Sequence, residues 1–168
     1  MSVYGKGDVA PRLLRLQDKH GLNVNLLLWC LWCGVHFEEP PEIVIRKAVD
    51  LTGGWNKDVT ARLRAARRAL KSAPSGAPAK SVAALGERLK VEELEAERIE
   101  QEMLENLSAN ALKRTPSEDA GASRGRRNLA AYARLAGAAK SPGFSVSLLE
   151  ELIENTLRLV ENEQDAAS

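Results

Sequence analysis

Residues 24–37 constrain this chain more than any other stretch. In that run of valine, leucine, tryptophan, cysteine and phenylalanine only Asn25 and His36 are clearly polar. A surface helix shows one apolar stripe; a helix that is apolar nearly all round must be covered on most sides. Fourteen residues are too few to cross a bilayer, and apolar helices of that length usually lie in a protein core. The other segments are therefore expected to pack around this one.

Those other segments read as helices too. Alanine, leucine, glutamate and arginine dominate, all strong helix formers. The one β-rich triplet, Ile43, Val44 and Ile45, is too short to carry a sheet. The expected fold is all-α: a compact helical bundle around a buried central helix, with a helical C-terminal extension. Residues 1–112 are expected to form the main domain, 113–126 a linker and 127–168 the extension.

Caps and breakers set the expected boundaries. Asp8 caps a first helix that carries Pro11 in its first turn and stops at Gly21. Asn23 caps the central helix, Gly34 weakens its end, and Pro40 and Pro41 close it. A third helix starts at Pro41 or Glu42 and ends at Thr52, Gly53 and Gly54. Asn56 then caps a fourth helix to about Lys71. Residues 73–79 are a linker by composition, and Ser81 caps a long helix to about Leu112, with a weak point at Gly86. Residues 115–126 are poor in apolar side chains and read as a mobile linker. A short Ala-rich helix follows over 127–139. Ser147 and Glu150 form a capping box for a last helix over 147–161, with Val146, Leu149, Ile153, Leu157 and Val160 on one face. A helix that short needs a packing partner, either this chain's own core or a second copy in a homodimer.

Charge is balanced overall, with 24 Lys and Arg against 23 Asp and Glu, but it is segregated locally. Residues 57–71 carry six basic groups against Asp58, and residues 87–105 carry eight glutamates against Arg88, Lys90 and Arg98. Joined by a short linker, these helices are expected to fold back antiparallel and pair their charges, which sets orientation more than stability. The other reading of the basic face, Arg64, Arg67, Arg68 and Lys71, is a grip on nucleic-acid phosphates.

Two further groups invite chemistry. Gln17, Asp18, His20, Asn23 and Asn25 form a polar cluster at the junction of the first two helices. It reads as caps and interhelical hydrogen bonds, or as a small pocket with Asp18 and His20 as acid and base. Cys30 and Cys33, with His36 and His20, have the types of zinc ligands. Their place in the most apolar segment favours small buried hydrophobes, so no metal and no cofactor are expected. Trp29, Trp32 and Trp55 read as core anchors. No phosphate loop, metalloprotease helix or nucleophile elbow occurs, so no catalytic residue is assigned.

Leu16, Gln17, Asp18, Gly21, Val24 to Leu28, Leu31 and Trp32 resemble the signature of an uncharacterised family, a domain of unknown function found mainly in proteobacteria. The resemblance continues through Trp55, Val59, Leu63, Arg64, Arg67, Arg68, Leu70 and Lys71 and a Glu-rich stretch over 93–100. It covers roughly residues 4–107. The family usually has an apolar Leu-Trp start before the position of Tyr4, which is missing here, and an aspartate where this chain has Asn23. It implies a helical domain and brings no assigned activity.

The first functional reading is a non-catalytic cytoplasmic interaction or adaptor protein with a protein partner, and a possible homodimer through 147–161. Two cysteines without a disulfide framework suit a reducing cytoplasm, and residues 1–8 lack a signal-peptide core. No membrane association is expected. Nucleic-acid binding through 57–71, and a small-molecule enzyme at Asp18 and His20, rank behind it.

Overall fold

The computed structural model describes residues 9–72, 76–115, 118–145, 147–150 and 153. Six helices carry the fold: α1 (Val9–His20), α2 (Val24–His36), α3 (Glu42–Trp55), α4 (Ala61–Ala69), α5 (Ala79–Ala111) and α6 (Glu118–Leu135). Among the described residues there is no strand, only an isolated bridge between Phe37 and Arg114. The fold is all-α, as expected.

Helix α2 is the hub. Leu26 to Leu31, Cys33 and Gly34 are all buried, on every side of the helix. Each such leucine adds roughly 1.5–3 kcal/mol of burial, which is why the others gather here. Its ends follow the sequence. The Asn23 side chain accepts from the backbone N–H groups of Asn25 and Leu26. Gly21, at φ +66°, ends α1, with its N–H bonded to Gln17 O at 2.9 Å.

Three expected boundaries need correction. Helix α3 does not stop at Gly53 and Gly54 but runs to Trp55 and then, through a π-helical turn over Asn56–Thr60, straight into α4. Thus Asn56 is no cap; its backbone is helical. Trp55 Nε1 donates to Ala96 O at 2.9 Å and pins the junction to α5. Such an anchor offsets part of the roughly 1 kcal/mol helix cost of each glycine. Helix α5 begins at Ala79 without a side-chain cap, so Ser81 lies inside it. It also continues unbroken past Gly86, where the Leu70 side chain packs alongside.

The third correction is the largest. The expected linker over 113–126 is helical from Glu118 onward, and residues 127–135 belong to the same helix. Its pairing with α2 is the most extensive in the fold. The reason is glycine. A Cβ at Gly34 would lie 2.5 Å from Gly125 N and 2.7 Å from Gly121 O, so the two backbones touch. A contact made by backbone atoms leaves no apolar pattern in the sequence. Beyond it, Leu129, Tyr132 and Ala133 bury against α2.

Residues 147–150 are helical, and Leu149 and Ile153 are 2% and 1% exposed within the chain's own core. Val146, Leu157 and Val160, the rest of that stripe, lie outside the described residues, as does Asp8.

Candidate functional site

The polar cluster and the basic face, distant in sequence, line one cleft of about 790 Å³. The end of α1 supplies Gln17 and Asp18, and the start of α2 supplies Asn23 and Asn25. The π turn supplies Asn56 and Thr60, and α4 supplies Arg64, Arg67 and Arg68. Helix α5 forms the opposite wall from Lys90 to Gln101. His20 and Lys71 are not part of it. His20 Nδ1 lies 3.0 Å from Ser141 Oγ, and its ring packs edge-on against Phe144. Asp18 and His20 are therefore not brought together as acid and base.

Two buried glutamates organise the walls. Glu93 is shared by two arginines: Arg64 Nε donates to Oε1 at 2.8 Å and Arg67 Nε to Oε2 at 2.6 Å. Arg64 also reaches Glu97 Oε1 at 3.1 Å. Burial opposes the charge on Glu93, yet hydrogen bonds from Arg67 and Arg64 outweigh it and hold the carboxyl below its ordinary range. Glu100 forms no salt bridge among the described residues, although Arg64 is near enough to act on its charge. Its two oxygens accept from Asn23 Nδ2 and Asn25 Nδ2, each at 2.7 Å, and Gln101 Nε2 donates to Asn25 Oδ1 at 3.0 Å. Here burial wins over the amide bonds, and the carboxyl is pushed up. Burial likewise raises Glu97 despite Arg64.

Of the basic face, then, Arg64 and Arg67 are engaged by α5, while Arg68 and Lys71 are exposed and have no ion-pair partner among the described residues. Sequence reasoning missed Glu93, Glu100, Gln101 and Thr60 as site residues. Glu93, Glu97 and Glu100, spaced by four and three residues, share one helix face with the apolar Ala96 and Leu104, and that spacing was the available signal.

Glu93→Gln is expected to lower stability at neutral pH by roughly 1–2 kcal/mol, a modest cost because both arginines keep contact with water. A carboxyl held low in the folded state contributes fully above its unfolded value. That contribution is lost as pH falls through the folded value. Urea denaturation of both proteins should therefore show the gap closing on acidification. A gap that ignores pH would place its origin elsewhere.

The cysteine and histidine set disperses. Cys30 Sγ donates to Asn128 O at 3.7 Å, Cys33 Sγ lies 3.5 Å from Ser108 Oγ, and His36 packs against Trp32. Burial raises both thiols, Cys33 to about 12. Among the described residues no three metal-ligating side chains converge. Trp29 is buried, with Nε1 donating to Ser108 Oγ at 2.7 Å, whereas Trp32 and Trp55 are half-buried.

Helix α4 and the first half of α5, which also supply cleft walls, form a two-helix arm. No residue of α4 is buried, and in α5 burial begins only at Glu93. Leu85, Val91 and Leu94 are 39%, 63% and 56% exposed there.

Fold and site together define an all-α protein with a charge-lined cleft at the root of a helical arm. The chain belongs to the family described as Protein of unknown function (DUF2390), which matches residues 1–104. No curated protein and no solved structure matches it. Every residue lining the cleft falls inside the matched span, while α6 lies beyond it.

Proposed function

We propose that this chain is a non-catalytic cytoplasmic interaction protein and that the α4–α5 arm receives a protein partner. The observation that carries the reading is the arm's composition against its burial. Neither α4 nor α5 before Glu93 has a fully buried residue; Leu63, Leu70, Val82 and Leu89 are half-buried, while Leu85, Val91 and Leu94 are left exposed. Val91 and Leu94 sit one turn apart, in the manner of anchors for a helical partner. Two free, buried thiols suit a reducing compartment. No described helix is long and apolar enough to cross a membrane.

The other readings have less support. A nucleic-acid backbone would find Arg64 and Arg67 already engaged by glutamates. An enzyme at Asp18 would work without His20, which is turned to Ser141. A homodimer through 147–161 would have to use side chains other than Leu149 and Ile153, both already covered. We also take the block from Leu16 to Trp32 as the family's signature and the source as proteobacterial. The block supplies Leu16, Leu22, Leu26 to Leu28 and Leu31 to the core and Asn25 to the cleft.

A photo-cross-linking residue at Val91 is expected to give one adduct of defined mass in cells. The same residue at exposed Lys140 should not give it, and Leu94→Arg should abolish it. An adduct of twice the chain's mass would identify the partner as a second copy. Equal adducts at both positions, or none at Val91, would refute the arm as the contact surface.

A further inference from the structure

The cleft holds a group that the interaction reading does not use. Thr60 is 2% exposed, forms part of the cleft wall, and its hydroxyl has no hydrogen-bond partner. Thr52, two turns earlier, shows the usual fate of a helical threonine: its Oγ1 donates to Ala48 O at 2.9 Å. The π turn over Asn56–Thr60 breaks that pattern, and turns of this kind recur at functional sites. A buried hydroxyl left unpaired costs about 1–3 kcal/mol, so the fold keeps an expensive donor and acceptor at this wall.

What surrounds Thr60 selects the ligand. Thr60, Arg64 and Arg68 recur at four-residue steps and all line the cleft, so they form one row along it. Arg64 binds Glu93 and Glu97 through Nε and one terminal nitrogen, which leaves its other terminal nitrogen outside these bonds. Arg68 and, on the opposite wall, Lys90 have no ion-pair partner among the described residues. This end of the cleft therefore attracts an oxyanion. The other end, at Asn25 and Gln101, is made of amides and carboxylates, which suit hydroxyl groups. Among the described residues no aromatic side chain lines the cleft, so none there would stack on a nucleobase.

We propose that this cleft binds a small hydroxylated oxyanion, with Arg68 and Lys90 meeting its charge and the Thr60 hydroxyl and the remaining terminal N–H of Arg64 bonding its oxygens. The charged group is a phosphate or a carboxylate on a polyol. The volume of about 790 Å³ is ample for such a molecule.

The test is NMR titration of the full chain with glucose 6-phosphate, gluconate and uncharged glucose, following the Thr60 methyl and the arginine Nε–H signals. One or both anions should give saturable shifts at Thr60 and Arg68, and glucose should not. Glucose 6-phosphate alone would identify a phosphate ligand, gluconate alone a carboxylate. Thr60→Val should weaken binding roughly tenfold, the value of one well-made hydrogen bond, without lowering the melting temperature. Thr60→Ser should retain binding, and Arg68→Ala should lose it with an unchanged circular dichroism spectrum. Saturation by neither anion, or Thr60→Val binding like the wild type, would overturn the proposal.

Discussion

Gly34→Ala is expected to cost the fold about 3 kcal/mol or more, the upper end for an overpacked core position. One methyl group in a helix is ordinarily favourable, by nearly 1 kcal/mol over glycine. Here it would lie 2.5 Å from Gly125 N and 2.7 Å from Gly121 O. These are backbone atoms, and no rotamer change can move them aside. The helices must separate, and separation loosens Leu129, Tyr132 and Ala133, which pack in the same interface. Gly53→Ala is the matched control. It is also helical, but nothing lies within 4 Å of its added Cβ. It should stabilise by about 0.5–1 kcal/mol. Urea titrations of the two variants should move in opposite directions, and a neutral Gly34→Ala would show that the α2–α6 contact is not tight.

A chain ending at Arg114 is expected not to fold cooperatively. It keeps residues 1–112 but lacks α6, which covers one whole side of α2. It also loses the Tyr132 hydroxyl, which accepts the Asn23 backbone N–H at 2.7 Å, and Asn128 Nδ2, which donates to Cys30 O at 3.0 Å. A helix apolar all round cannot leave one side in water without collapse or aggregation. Leu129→Ala is the graded version: its fully buried side chain should cost about 2–5 kcal/mol. A sigmoidal urea transition for the shortened chain, near that of the full one, would show that residues 1–112 stand alone.

Which parts of this structure could be read from the sequence follows from the kind of contact involved. Helix α2 was legible because burial by side chains writes itself as an apolar run. Asn23 and Gly21 were legible because capping and a left-handed stop demand particular residues. Helix α6 was hidden because its closest contact is made by Gly121 and Gly125, whose composition resembles a linker. The run through Gly53 and Gly54 was hidden because Trp55 holds it from α5, more than forty residues away in sequence. The cleft was half legible. Asn25 and Arg64 each stood out locally, but Glu100 and Glu93, which gather them, declare themselves only once α5 is laid alongside.

The π turn has a geometric consequence for the whole arm. Thr52 and Thr60 are both buried, although they are eight residues apart. At about 100° per residue an ordinary helix would leave them about 80° out of phase. The wider turn takes in one extra residue and winds the chain back by roughly that angle, so the two threonines point the same way. Everything downstream inherits the correction. Arg64 and Arg67 meet Glu93 because the π turn absorbs one extra residue; wound as an ordinary helix at the same length, the chain would carry the same arginines about 100° round, toward water. The angular setting of the basic helix, and with it the charge pairing of the arm, thus depends on how that one turn is wound.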